Sequence, residues 1–294
     1  MRAFEYIAAD DSRHAVALLA EYGDDARLLA GGTDLLVELK EAARAPRIVI
    51  DISRAADMQT IALTAQGLSI GAAVTHTAIM QSPLVRELCP ALIDAAHSIG
   101  AVQTRNLGTL GGNLATCVPS MDSGPTLVAL DALVNIAAAA GGKSVALTEF
   151  FVAPRKNMLK PGEMLTAIVI PKKNLGKPAA FLKFGLRKGQ ALALVNVAAS
   201  ANVERNVMAF RDTRIALGAV APQVIRATAA EKYLEGRAVS AEAMTEAGAI
   251  AAREARPISD FRASADYRRD LIATLTRRVL ETVCACNSQL ADGK

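Results

Sequence analysis

Two glycine pairs set in apolar flanks, Ala30-Gly31-Gly32-Thr33-Asp34-Leu35-Leu36 and Thr109-Leu110-Gly111-Gly112-Asn113-Leu114-Ala115, constrain this chain more than any other feature. Glycine lets the backbone turn through positive φ and approach a ligand closely, leaving amide N–H groups to donate to phosphate oxygens. Strand-like residues from Arg27 to Ala30 enter the first pair, and Thr33 or Asp34 is placed to cap a helix running to about Lys40. That order aims a helix N-terminus at whatever sits over Gly31 and Gly32. Neither pair alone is a nucleotide signature: the first lacks the third glycine of the dinucleotide fingerprint, and neither is followed by the Lys-Ser/Thr of a P-loop. Each by itself also fits an ordinary turn; their co-occurrence points to a diphosphate cradle.

The 294 residues suffice for one large or two medium domains. A formal net charge of +4, with no basic run interleaved with aromatics, gives no case for nucleic acid. Cys89, Cys117, Cys284 and Cys286 are too few and too irregular for a disulfide framework, which favours a reducing, cytoplasmic setting. Cys284-Ala-Cys286 lacks the second paired motif of a zinc or iron–sulfur site, so no metal is expected in this chain. The segment Met1-Arg2-Ala3-Phe4-Glu5 lacks the apolar core of a signal peptide. Apolar stretches such as Ala191 to Ala201, interrupted by Asn196 and Ser200, fall short of a membrane span.

Periodicity predicts a helix over Ser12 to Tyr22, strands at Arg47 to Ile52 and Leu68 to Ala72, and one helix over Leu84 to Ile99 after Pro83. Pro125 suits the first residue of a short helix to Leu130, followed by a strand at Leu133 to Ala137 and a turn at Gly141-Gly142. A strand at Leu165 to Ile170 stops at Pro171, and the polar run Lys172 to Pro178 reads as the main linker. Beyond it, Ala180 to Arg187, Leu192 to Val203 and Arg214 to Val220 read as an antiparallel sheet. Ala227 to Leu234, Ala241 to Ala255 and Ser264 to Val283 read as helices. The class is α+β, without an internal repeat.

Catalytic constellations are missing from the pattern. His14, His76 and His97 stand alone, without zinc spacing or an adjacent nucleophile, and read as surface or structural residues. Asp122, before Pro125, is either a ligand-binding carboxylate or a helix cap, and spacing favours the cap. Lys183 and Arg187, four apart on a strand, point to one face, either solvated or turned toward a phosphate or flavin.

Ala30 to Leu36 together with Arg105-Asn106-Leu107-Gly108-Thr109-Leu110-Gly111-Gly112-Asn113 resemble the two FAD loops of the flavoprotein subunit of molybdenum hydroxylases, as in aerobic carbon monoxide dehydrogenases and xanthine dehydrogenases. Leu165 to Pro171, Phe181 to Val195 and Asp260 to Arg269 extend the resemblance along essentially the whole chain. It implies a vanillyl-alcohol-oxidase (PCMH)-type FAD-binding fold over 1-175, with subdomains of about 1-55 and 56-175. A C-terminal α/β domain like that of the CO dehydrogenase flavoprotein would occupy 179-287. It also implies that Leu28, Leu29, Ala30, Gly31, Gly32, Thr33, Asp34 and Leu35 wrap the diphosphate of FAD. Thr109, Leu110, Gly111, Gly112 and Asn113 would continue the cradle, while Ile99, Thr116, Asp122, Leu165 and Lys183 match further cofactor-contacting positions. Asn113 runs to Asp122 without the cysteine-rich insertion of relatives that reduce 4-hydroxybenzoyl-CoA, so no extra cluster is implied.

The function implied is electron transfer. A molybdopterin-binding large subunit hydroxylates substrate, a small subunit carries [2Fe-2S] clusters, and this chain's FAD passes electrons onward, with no catalytic acid or base required here. The assembly implied is a dimer of heterotrimers. Substrate choice would reside in another chain, leaving carbon monoxide, purines, aldehydes and N-heteroaromatics open, as is the acceptor. A stand-alone flavin oxidase or reductase would need substrate-binding and proton-donating groups over the flavin. A non-catalytic nucleotide-binding protein is the third reading.

Overall fold

The computed structural model describes residues 2–41, 44–204 and 206–291, and Met1 of the segment Met1 to Glu5 considered above lies outside them. The chain opens with β1 (Glu5–Ala8), α1 (Ser12–Tyr22), β2 (Ala26–Leu29), α2 (Leu35–Lys40) and β3 (Ile48–Asp51). These strands form a parallel three-stranded sheet in the order β1-β3-β2. The central strand is a continuous apolar run, Ile48, Val49 and Ile50 all being fully buried, as expected for a strand covered on both faces. Asp11 caps α1 by accepting from the His14 amide at 2.8 Å, and Gly23 ends it at φ +52°.

The next unit comprises β4 (Ile61–Leu63), β5 (Gly67–Gly71), α3 (His76–Gln81), α4 (Pro83–Leu88), α5 (Pro90–His97), α6 (Val102–Leu107), α7 (Leu110–Thr116) and α8 (Ser123–Ala129). It continues through β6 (Leu133–Ala138), β7 (Gly141–Ala146), α9 (Leu147–Phe150), β8 (Phe151–Ala153), β9 (Lys156–Asn157) and β10 (Met164–Pro171). Five strands form an antiparallel sheet in the order β4-β5-β10-β6-β7, and β8 and β9 form a small hairpin.

Several expectations for this unit need correction. The single helix expected over Leu84 to Ile99 is two, because Pro90 supplies no amide and restarts the chain as the first residue of α5 after a break at Cys89. The helix at Pro125 begins two residues earlier, at Ser123. Gly141 and Gly142 open β7 instead of forming the turn, which falls at Ala139-Ala140, with Gly141 at φ +123°.

Residues 172–178 lead into the last unit through a short 3-10 turn at Lys172–Asn174. Four strands, β11 (Ala179–Gly185), β12 (Ala193–Glu204), β13 (Ala209–Gly218) and β14 (Ile225–Arg226), form an antiparallel sheet in chain order. Helices α10 (Thr228–Leu234), α11 (Ala241–Glu254) and α12 (Ala265–Ala291) follow. The strand expected from Arg214 starts five residues earlier and stops at Gly218.

Strand β12 shows how this sheet joins the rest. Val195, Val197, Ala199 and Ala201 belong to the core shared with α10, α11 and α12, whereas Ala198 packs in the core of the first half. Successive side chains on a strand face opposite ways, so Asn196 and Ser200 also face the first half. Ser200 Oγ donates to Ala129 O at 2.7 Å, and Asn196 Nδ2 donates to Met121 O at 3.0 Å. Gly218, opposite Asn196, has no room for a side chain: a Cβ there would lie 2.1 Å from Asn196 Oδ1 and 2.9 Å from Pro125 Cγ. Asp260 receives the amides of Arg262 and Ala263 and the guanidinium groups of Arg262 and Arg268, and Arg268 also donates to Leu194 O, which fastens the start of α12 to β12. Among the described residues, no helix is long and apolar enough to cross a membrane.

Candidate functional site

The first glycine pair leaves the end of β2, which is held beside β3 by the Ile52 amide donating to Leu29 O at 2.8 Å. Gly32 sits at φ +70°, a left-handed conformation that glycine adopts without strain. Gly31 is flattened against the carbonyl of Leu107, since a Cβ on it would lie 1.9 Å from that oxygen. The resulting turn leaves the amides of Gly31, Gly32, Thr33 and Asp34 without a hydrogen-bond acceptor among the described residues. Consecutive unpaired amides form an anion-binding concavity. The expected side-chain cap is not made: Asp34 occupies the N-cap position of α2 without accepting an amide.

The second pair behaves differently. Gly111 and Gly112 lie in the first turn of α7, and the amides of its first three residues, which a helix start usually leaves open, are all occupied, while Asn113 makes the first intrahelical bond. Leu110 N donates to Val74 O, Gly111 N to Ala72 O, Asn113 N to Thr109 O, and Gly112 N to the Thr109 hydroxyl at 3.1 Å. Gly111 allows α7 to lie against Ala72, the residue after β5, because its Cβ would fall 2.5 Å from Ala72 Cβ. The glycines here therefore serve close packing, and the amides of this pair are not free for a ligand.

The two segments face each other across a cleft of about 540 Å³. Of the residues singled out in sequence, Leu28, Ala30, Gly31, Gly32, Thr33, Asp34, Leu35, Ile99, Thr109, Gly111, Gly112, Asn113, Thr116 and Leu165 line it. Leu29, Leu110, Asp122 and Lys183 do not; Leu110 is fully buried in the core.

Asp122 and Lys183 meet behind the wall. Lys183 Nζ lies 2.5 Å from Asp122 Oδ2 and donates to Ser98 O at 3.0 Å, next to the cleft residue Ile99. Asn196, which pairs with Lys183 across β11 and β12, donates to Asp122 Oδ1 at 2.8 Å. Burial pushes the Asp122 carboxyl upward, and the Lys183 charge and its hydrogen bond oppose that rise. Asp122 stands at the N-cap of α8 but caps no amide, because this pair claims both carboxylate oxygens. Arg187 does not share the face of Lys183: β11 ends at Gly185, and the guanidinium bonds Gly189 O and Gln190 O instead.

The wall also holds residues that the sequence did not single out as cofactor-binding. Glu38 of α2 pairs with Arg44 at 2.6 Å and with Arg155 at 3.3 Å, linking α2 to the β8–β9 turn at the rim of the cleft. Asn157 donates to Ala115 O at 2.7 Å and fixes the same turn to α7. His76 is 2% exposed on the wall, and burial, with a smaller effect from the Arg105 charge, lowers its pKa to about 4. Arg155 and Asn157 are about forty residues beyond the second glycine pair, so no local signal marks them. No group of three His, Cys, Asp or Glu side chains among the described residues could hold a metal ion.

A parallel β-α-β unit set against an antiparallel sheet, with unpaired amides facing the cleft between them, defines a cofactor-binding flavoprotein scaffold. Residues 2–173 match the model of the FAD binding domain in molybdopterin dehydrogenase, and residues 180–283 match the CO dehydrogenase flavoprotein C-terminal domain. The chain belongs to this family of FAD-binding medium subunits of molybdenum hydroxylases. It is 31% identical to the carbon monoxide dehydrogenase medium chain of Hydrogenophaga pseudoflava, over 96% of this chain and 97% of that one. It is 30% identical to the glyceraldehyde dehydrogenase medium chain of Sulfolobus acidocaldarius, over 95% and 98%. In structure it is similar to the carbon monoxide dehydrogenase of Hydrogenophaga pseudoflava, with a TM-score of 0.92, 32% identity and coverage of 97% of this chain and 98% of that one. The quinoline 2-oxidoreductase of Pseudomonas putida 86 gives a TM-score of 0.90 at 31% identity, over 97% and 99%.

Proposed function

We propose that this chain is the electron-transfer subunit of a molybdenum-containing hydroxylase or dehydrogenase, taking electrons from [2Fe-2S] clusters of a small partner subunit and passing them to an external acceptor. A molybdopterin-binding large subunit would carry out the hydroxylation, with the assembly a dimer of heterotrimers in the cytoplasm. The observation that carries the reading is the run of unpaired amides from Gly31 to Asp34 facing a cleft shared by two subdomains.

The residues present fit FAD. Gly31, Gly32, Thr33 and Asp34 would hold its diphosphate by their amides, and Gly112, whose Cβ position meets only the Thr109 hydroxyl, leaves the opposite wall open to close approach. Leu28, Ile99 and Leu165 would exclude water. Asp122 and Lys183 would act through Ser98, fixing the backbone that presents Ile99. FAD supplies the chemistry of accepting electrons singly from clusters and releasing them in pairs. In this reading, residues 1–175 bind the cofactor, as subdomains of about 1–55 and 56–175, and residues 179–287 brace them.

Anaerobic stopped-flow of the three-subunit complex, with and without FAD, tests this against a panel of carbon monoxide, purine, aldehyde and N-heteroaromatic substrates. Removing FAD is expected to leave cluster bleaching by substrate intact and to stop transfer to the acceptor. Loss of cluster bleaching in an assembled FAD-free complex, or substrate turnover by the lone chain, would overturn the role.

A further inference from the structure

His76 is a polar side chain on the cleft wall for which no hydrogen bond within the described chain accounts. It is the first residue of α3, directly after Thr75, whose hydroxyl caps the helix by accepting from Ala78 N at 3.1 Å. Its own amide donates to Gly108 O at 3.1 Å, which pins it to the segment entering α7. The imidazole is buried, yet Nδ1 has no hydrogen-bond partner. A Cβ placed on Gly108 would stand 3.5 Å from His76 Cδ2 and 3.7 Å from Thr33 Oγ1. The ring and the Thr33 hydroxyl therefore converge on Gly108, and the ring shares its corner of the cleft with the unpaired amides of Gly31 to Asp34.

Arg105 on α6 is the charged group acting on this ring, and with burial it keeps the imidazole uncharged, with one N–H donor and one acceptor nitrogen. A buried acceptor without a partner is better tolerated than a buried donor without one. That places the proton on Nε2 and leaves Nδ1 as the unpaired acceptor. We propose that His76 is a positioning residue for the cofactor, its imidazole N–H donating a hydrogen bond to the diphosphate held on the Gly31–Asp34 amides. The proposal rests on FAD being the occupant of the cleft. A neutral donor adds a directional bond to the phosphate without leaving a buried charge when the cofactor is absent.

The test titrates the flavin-free full-length chain with FAD and with ADP, which carries the same diphosphate without the flavin. His76→Leu is expected to raise the Kd for both ligands about tenfold, and His76→Gln, which keeps an N–H donor, to stay within about threefold of the unaltered chain. In the unaltered chain labelled with 15N-histidine, the His76 imidazole resonance, assigned by its loss in His76→Gln, is expected to shift on adding ADP. That spectrum decides the matter even if His76→Leu does not fold. Unchanged Kd values in His76→Leu, weaker FAD binding with unchanged ADP binding, or an imidazole resonance indifferent to ADP would each overturn the contact. Failure of the unaltered chain to bind FAD would sink the FAD reading and the proposal with it. Normal FAD binding with an inert His76 would sink only the contact.

Discussion

At Gly31 a Cβ would stand 1.9 Å from a backbone oxygen, and at Gly112 it would meet only the far end of a threonine side chain at 2.9 Å. Backbone cannot yield as a hydroxyl can, so the two glycines should respond differently to alanine. Gly31→Ala is expected to displace the turn, cost about 1–3 kcal/mol of stability and lower the FAD released by acid precipitation well below one per chain. Gly112→Ala, in a helix with ordinary φ, should keep the fold, its gain in helix propensity offset by pressure on the Thr109 hydroxyl that caps α7. His76 supplies a pH signature. Its pKa is about 4 in the folded chain against an ordinary 6.5, so the unfolded chain binds more protons between these values. Stability from this residue is thus fully present above pH 6.5 and is lost as pH falls toward 4, by up to roughly 3 kcal/mol. Urea unfolding of the flavin-free chain at pH 7 and pH 4.5 checks this, and His76→Gln should show a smaller loss between the two. Lys183→Met would strand the Asp122 carboxylate in a buried site, at a cost of about 3–5 kcal/mol. Pairing it with Asp122→Leu should recover part of that loss in the same urea assay.

At the scale of elements, the two glycine-bearing helix starts divide the work. The turn before α2 keeps its amides unpaired, whereas α7 spends those of Leu110, Gly111 and Gly112 on Val74, Ala72 and Thr109. Thr109→Ala is expected to lose the cap and destabilise the chain by about 1 kcal/mol, measured by the urea midpoint. Loss of FAD affinity greater than tenfold without that destabilisation would show that Thr109 acts as a ligand contact more than as a cap. No local signal in the sequence says which distant carbonyls would claim the amides at this helix start. The bridge from Thr75 to Thr109 and the amide bonds to Ala72 and Val74 are tertiary. The split of α4 from α5 was legible in Pro90, which a reading of apolar periodicity alone passes over.

For the whole molecule, the four-stranded sheet is a shared wall, one face covered by α10 to α12 and the other resting on the cofactor-binding half. The polar residues that interrupt the apolar run of β12, Asn196 and Ser200, are the ones that meet that half. The junction is equally tied down. Asn174 is buried and donates to Leu130 O at 2.8 Å, and buried Lys177 pairs with Asp212 at 2.8 Å. A polar composition at 172–178 thus marks a change of unit without marking a loose tether. Trypsin is expected to leave the bonds after Lys172 and Lys173 intact in the native chain and to cut them only in partial denaturant, as read by mass spectrometry. Rapid native cleavage there would show that the two halves are not braced.

The sequence by itself determined what local rules govern. Glycine pairs in apolar flanks marked the two segments of the cleft, alternating runs marked most of the strands, and the joint occurrence of its motifs marked the family. Tertiary structure decided which amides stay free, because a donor is available only if no distant carbonyl claims it. It turned Asp122 from a helix cap into half of a buried ion pair, because Lys183 and Asn196 reach it from another sheet. It also brought Arg155 and His76 to the cleft from segments with no local mark of function, since burial and proximity depend on how the elements pack.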